Sequence, residues 1–284
     1  MAFWGDYHTH TTYSHGKGSV LDNARVAKEV GLKQVAITDH GLRHLLLGIK
    51  KNELPRLIED CKNATEETGV HVLAAIENNF NSFRGTLDVA PEYIGMLDLI
   101  QGGYHKAARA PGVAQEFSFQ LRNMFFSFFT KSPKKLVAKN TDAYLKLIDN
   151  YDIDFIGHLN RDIRADALTV ARYARQKGTY RELNNKNLTI TDAELEKMCE
   201  EGVLFVVNSD AHTPRAVGNM DKIVAVIERL HIPYELIHNW DRFPAFRSQN
   251  YADATKRFDE KYSFGAHNSE ENAGTAERES GQAE

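Results

Sequence analysis

Nine side chains able to hold a divalent cation recur along the chain: His8, His10, His15, His40, Glu77, His105, His158, Asp210 and His212. The other five of the 12 histidines, His44, His71, His231, His238 and His267, fall off this pattern and read as ordinary core or surface groups. In His8-Thr9-His10 the i and i+2 side chains of a strand project to one face, and Asp210-Ala211-His212 repeats that spacing. Imidazoles mixed with carboxylates suit Zn²⁺, Mn²⁺ or Fe²⁺, and the lack of cysteine donors argues against a purely structural zinc site. Nine donors are more than one tetrahedral ion uses. Two to three divalent metal ions are therefore expected, with a carboxylate such as Glu77 as a bridge.

Such a cluster lowers the pKa of bound water and offsets charge on phosphoryl oxygens, so phosphoester hydrolysis is the reaction it suits best. The expected catalytic carboxylates are Asp39, Glu77 and Asp210. Asp39, beside His40, has two possible roles, orienting that ligand or protonating the leaving oxygen. Arg43, Lys106, Arg161 and Arg164 lie just beyond the donor positions. They are the candidate phosphate-binding residues, each weighed against a solvated surface charge.

What must position these groups is legible in the apolar pattern. Short runs at residues 2–7, 34–38, 70–76, 97–101, 153–157, 180–183 and 203–207 read as strands. Helical patterns stand between them, over 20–30 behind the N-cap Ser19, 53–68, 91–97, 141–150, 165–177, 191–201 with a Thr191–Glu194 capping box, and 221–230. Each strand is followed by polar or metal-capable residues, with Asn184 and Asn185 after the sixth. This alternation predicts an α/β fold, a (β/α) barrel whose strand ends meet on one rim, with an open doubly wound sheet as the alternative.

Two segments break the rhythm. Residues 107–140 read as an insertion. They hold six of the 15 phenylalanines: Phe117, Phe119, Phe125, Phe126, Phe128 and Phe129. Phe117, Leu121, Met124, Phe125 and Phe128 recur at helical spacing, which predicts a helix packed on the barrel, a lid or self-association surface being the alternative. Residues 265–284 are acidic and nearly free of apolar side chains, so a disordered tail is expected after a single domain over 1–264.

Composition narrows the partners. The formal charge of −4 argues against bulk binding to nucleic acid and leaves it only as a substrate. Two cysteines make no disulfide framework. No basic-then-apolar leader and no membrane-length apolar run is visible, which predicts a cytoplasmic protein without membrane association.

The sequence resembles the PHP (polymerase and histidinol phosphatase) family. The resemblance rests on His8-Thr9-His10-Thr11 with Ser14-His15-Gly16, on Ile37-Thr38-Asp39-His40, on Gly103-Tyr104-His105, on Gly157-His158, on Glu182-Leu183-Asn184-Asn185 and on Asn208-Ser209-Asp210-Ala211-His212. It implies a distorted seven-stranded (β/α) barrel with a trinuclear centre that hydrolyses a phosphomonoester of a small phosphorylated substrate. His8, His10, Glu77 and Asp210 would hold the first ion. Glu77, His105 and His158 would hold the second, and His15, His40 and His212 the third. The chain departs from many members in having Leu159 after the fifth-strand histidine in place of proline, and from some in having His15 in place of aspartate. A nuclease acting on DNA or RNA ends, or an amidohydrolase-like C–N hydrolase, are the alternatives. The latter usually needs a carbamylated strand-end lysine, and no obvious one is present.

Overall fold

The computed structural model describes residues 2–44, 47–106, 114–127 and 133–276. In chain order it comprises β1 (Gly5–Thr9), α1 (Val20–Glu29), β2 (Gln34–His40), α2 (Leu54–Thr68), β3 (His71–Asn79), α3 (Pro91–Ile94), β4 (Leu99–Gly103) and α4 (Ala114–Ser127). There follow α5 (Lys134–Asn150), β5 (Phe155–Ile156), α6 (Ala167–Lys177), β6 (Tyr180–Asn184), α7 (Asp192–Glu200), β7 (Phe205–Asn208), α8 (Asp221–Arg229) and α9 (Gln249–Ala276).

The seven strands pair in chain order, all parallel, which is a barrel order and not that of a doubly wound sheet. The seam between β1 and β7 closes through a bridge at Thr9 and Ala211 and through side chains. The amide of Asn239 donates to the carbonyls of Gly5 (2.8 Å) and Val207 (2.7 Å), and Asn208 Oδ1 accepts the Tyr7 N–H at 2.9 Å. These amides satisfy edge groups that a paired strand would otherwise take.

The barrel interior is filled by Tyr7, Ala36, Leu73, Leu99, Phe155 and Val206, and α9 stops its N-terminal end with Tyr251 and Ala254. Gln34 Oε1 accepts hydroxyl protons from both Tyr7 (2.8 Å) and Tyr251 (2.9 Å), so the plug is polar at its centre. The C-terminal end is left for chemistry.

Most strands run past the apolar runs that mark them in the sequence. Pairing continues through Asp39, His40 and Glu77 because backbone hydrogen bonds are indifferent to side-chain polarity, while His8 sits in a register shift of β1 between Asp6 and Thr9. The fifth strand is shorter than expected. His158 follows Gly157 in a left-handed conformation (φ 20°), which ends the extended run.

The expected helix in the insertion is present as α4, but its buried face is not the one the sequence spacing points to. Phe117, Leu121, Met124 and Phe125 are exposed, whereas Phe119, Gln120 and Asn123 are buried. Phe119 packs on Phe80, Phe83 and Tyr104. Asn123 exchanges amide hydrogen bonds with Asn140 (2.8 and 3.2 Å), and Gln120 accepts from Tyr104 Oη at 2.8 Å. An apolar-inward rule misassigns the face because an amide pair such as Asn123 and Asn140 can be buried with its hydrogen bonds made. Phe128 and Phe129 lie outside the described residues. At the other end, α9 continues to Ala276 and so enters the segment that composition reads as a disordered tail. Residues 277–284 lie outside those described.

Candidate metal centre

All nine predicted donors meet at the C-terminal rim. Strand register places them: His40 pairs with Glu77, and Glu77 with Gln101, so these three stand side by side on β2, β3 and β4. His8 and His10 rise from β1, His105 and His158 follow β4 and β5, and Asp210 with His212 follows β7. His15 arrives on the loop after β1. That loop is held by Asp39, whose carboxylate accepts from the Thr11 N–H (2.8 Å), the Thr11 hydroxyl (2.5 Å) and the Ser14 hydroxyl. A Cβ on Gly16 would lie 2.5 Å from the His10 carbonyl oxygen, so only glycine lets the loop fold back this closely.

Glu77 is the hub. Its Oε1 lies 3.2 Å from His8 Nε2 and 3.4 Å from His105 Nε2, and contacts His158 Nε2. Its Oε2 lies 2.8 Å from His40 Nδ1 and 3.8 Å from His10 Nε2. Asp210 Oδ1 lies 3.4 Å from His10 Nε2 and 3.8 Å from His8 Nε2. His15 stacks on His40 at 4.7 Å and meets His212 at 4.3 Å between ring centroids.

The donor set fits divalent cations. Four overlapping groups have donor atoms within 4.8 Å of one another: His10, His15 and His212; His8, His10 and Asp210; His8, Glu77 and His158; His10, His40 and Glu77. His8 Nε2, Glu77 Oε2 and Asp210 Oδ1 are buried there without a hydrogen bond, a costly state for polar atoms unless a cation is the partner. Electrostatics agree. Burial alone would raise the Glu77 pKa, but His105, His8 and His158 outweigh it and hold the carboxyl well below its usual range. Burial likewise opposes ionisation of Asp210, and His8 and His10 outweigh it. Burial pushes His10 down to about 3 and His15 to about 4, so both present neutral imidazoles with free lone pairs.

Several supporting residues have no role assigned from the sequence, although Glu182 stands in one of the motifs that carry the resemblance. Glu182 is fully buried on β6 and accepts from His8 Nδ1 (2.8 Å), the His158 N–H (2.6 Å) and the amides of Asn184 (3.1 Å) and Asn208 (3.0 Å). Its two-residue spacing from Asn184 on β6 was the available signal. Asn79 Oδ1 accepts from His105 Nδ1 at 2.8 Å, leaving Nε2 toward Glu77. His44, expected off the pattern, stacks on His40 at 4.6 Å and joins the rim.

The remaining candidates divide. Arg161 Nη1 reaches within 3.4 Å of His105 Nε2. Lys106 pairs with Asp162 at 3.8 Å, and Arg43 is exposed. Arg164 Nη1 turns to the carbonyl of Asn160 at 3.4 Å, within its own loop. Asn185 faces away from the donors and accepts from the Lys222 and Ile223 N–H groups at the start of α8. Asp39 is spent on its loop.

A PHP domain sequence profile matches residues 6–232. A probable phosphatase of Clostridium novyi (strain NT) is 30% identical over 256 residues, covering 85% of this chain and 92% of that protein. A probable phosphatase of Shewanella piezotolerans is 30% identical over 254 residues, covering 84% and 90%. Among solved structures, a histidinol phosphate phosphatase of Lactococcus lactis subsp. lactis, in complex with zinc, L-histidinol and phosphate, shares the fold. Its TM-score is 0.55 at 13% identity, over 82% of this chain and 95% of that one. Among the described residues no helix is long and apolar enough to cross a membrane. A strand-by-strand rim of donors and a profile match that begins in β1 and runs past β7 agree: the chain belongs to the PHP domain family.

Proposed function

We propose that this PHP-family phosphatase hydrolyses a small phosphomonoester at a centre of two to three divalent ions, zinc, manganese or iron. The observation that carries the reading is Glu77, a buried, ionised carboxylate approached by five histidines, His8, His10, His40, His105 and His158. One carboxylate among five imidazoles is placed to serve two ions. His8, His10, Glu77 and Asp210 would hold the first, Glu77, His105 and His158 the second, and His15, His40 and His212 the third. Bound ions supply activated water near neutral pH and offset the charge of phosphoryl oxygens.

The chain's own groups do the rest. Glu182 orients His8 and raises its basicity through Nδ1. Asp39 positions the loop that carries His15, and its two oxygens already accept three donors. Arg161, beside His105, is placed to pair with a phosphoryl oxygen.

The test is turnover of a panel of phosphorylated metabolites, simple aryl phosphates and short oligonucleotides with Mn²⁺ or Zn²⁺, alongside elemental analysis. The expected result is hydrolysis of monoesters, two to three ions per chain, and loss of more than one ion in Glu77→Ala. A protein that hydrolyses no phosphoester with any ion overturns the function. Preferred cleavage of oligonucleotides replaces the substrate class with nucleic-acid ends. Loss of a single ion in Glu77→Ala removes Glu77 from the bridge.

A further inference from the structure

Lys186 stands just past the end of β6, and nothing in its sequence spacing singles it out. Its backbone is pinned: Asn184 Oδ1 accepts the N–H of Lys186 (3.0 Å) and of Asn187 (2.7 Å). Its tip enters the donor cluster. Nζ lies 3.0 Å from both ring nitrogens of His212 and 3.8 Å from Asp210 Oδ1. His212 Nδ1 donates to the Asp210 carbonyl oxygen at 2.8 Å, so Nε2 carries the free lone pair. The ammonium therefore faces the one nitrogen His212 has for a metal.

An ammonium and a divalent cation cannot share that lone pair and Asp210 Oδ1, since each site would set like charges a few ångströms apart. Among the described residues, Asp210 is the sole carboxylate within 4 Å of Nζ. With 43% of its side chain exposed and a flexible four-carbon stem, Lys186 is free to swing outward over the rim. Burial, opposed by Asp210 and reinforced by the charge of Arg161, holds its pKa below the ordinary lysine range. A second cation, Arg161, stands on the His105 side of the cluster. Two cations on opposite sides of the donor cluster, Arg161 by His105 and Lys186 by His212, are matched by a doubly charged anion.

We propose that Lys186 is a specificity residue for a dianionic phosphoryl group, its ammonium leaving His212 when that lone pair is taken and pairing with a non-bridging phosphoryl oxygen. This rests on the phosphatase reading and adds to it the residue that sets the preference for a monoester. A terminal phosphoryl group carries close to two charges and three free oxygens. A diester keeps one charge and two free oxygens, so it gains less from a second cation. Lys186 thus favours phosphomonoesters over phosphodiesters.

The test uses the full-length, metal-loaded protein and its Lys186→Gln and Lys186→Arg variants. Three quantities are measured: ions per chain, affinity for inorganic phosphate by calorimetry, and KM and kcat on p-nitrophenyl phosphate and bis-p-nitrophenyl phosphate. For Lys186→Gln the ion content should hold, phosphate affinity should fall roughly 10- to 100-fold, and monoester KM should rise in step with little change in kcat. Diester KM should move less than about 3-fold, and Lys186→Arg should recover most of the phosphate affinity. Unchanged phosphate affinity and monoester KM, equal losses on both esters, or a fall in ion content would each overturn the role of Lys186. If the unaltered protein neither binds phosphate nor cleaves either ester, the phosphatase reading fails instead.

Discussion

Nδ1 of His8 lies 2.8 Å from Oε1 of Glu182, with both side chains shut off from solvent. This contact fixes the ring so that Nε2 faces Glu77 and Asp210. Burial opposes protonation of His8, but Glu182, Glu77 and Asp210 together hold its pKa well above the usual histidine range. Three buried carboxylates around one imidazole leave a surplus of negative charge that suits cations.

Glu182→Gln keeps the shape and removes the charge. Its expected effect is a fall in metal affinity of roughly 10- to 100-fold, with a folded barrel. Metal titration monitored by elemental analysis and circular dichroism checks it. Wild-type affinity would reduce Glu182 to a packing role.

Asp39→Asn keeps one acceptor oxygen where the loop offers three donors, Thr11 N–H, Thr11 Oγ1 and Ser14 Oγ. The loss in stability should be about 1–3 kcal/mol, measured by chemical denaturation. Turnover of aryl and alkyl phosphates should fall by the same factor, because the damage reaches both through the loop carrying His15. A far larger loss on the alkyl ester, whose leaving oxygen needs a proton, would make Asp39 an acid.

Phe119 is fully buried against Phe80, Phe83 and Tyr104, while Phe125 is 57% exposed on the opposite side of α4. Phe119→Ala should cost about 3–5 kcal/mol. Phe125→Ala should stay below about 1 kcal/mol. Urea denaturation of both variants decides it, and equal losses would contradict the orientation of α4.

His71, at the start of β3 and far from the donors, stacks on Phe258 of α9 at 4.4 Å. Burial, with a further push from Arg257, lowers its pKa to about 4. An unfolded histidine titrates near 6.5, so between these values the unfolded chain holds the proton and the folded one does not. Stability therefore falls as pH drops through that window, by about 2 kcal/mol between pH 7.5 and 5. His71→Gln should flatten that part of the profile. An unchanged slope in urea melts at the two pH values would refute the assignment.

What the sequence determines by itself is the rim. The two-residue spacings of His8 with His10 and of Asp210 with His212 mark them as paired donors, although Asp210 and His212 lie past the end of β7, with Asp210 in a left-handed conformation (φ 55°), so a loop and not strand alternation aims that second pair. A strand-then-helix rhythm brings the strand ends together without any knowledge of contacts. Three things wait on tertiary structure. Glu182 and Asn79 are ordinary polar residues in the chain, and only register and seam closure bring them to the second nitrogen of His8 and His105. Asp39 reads as part of the chemistry because it neighbours His40. Successive strand residues point to opposite faces, and its oxygens turn to Thr11 and Ser14. Arg161, Arg164 and Lys186 are alike as charged loop residues. Long side chains take their direction from the turn beneath them, and the turns send Arg161 to His105, Arg164 to its own loop and Lys186 to His212. Periodicity survives in one dimension because it is a property of the backbone repeat; partner and direction are not, because they depend on which strands become neighbours.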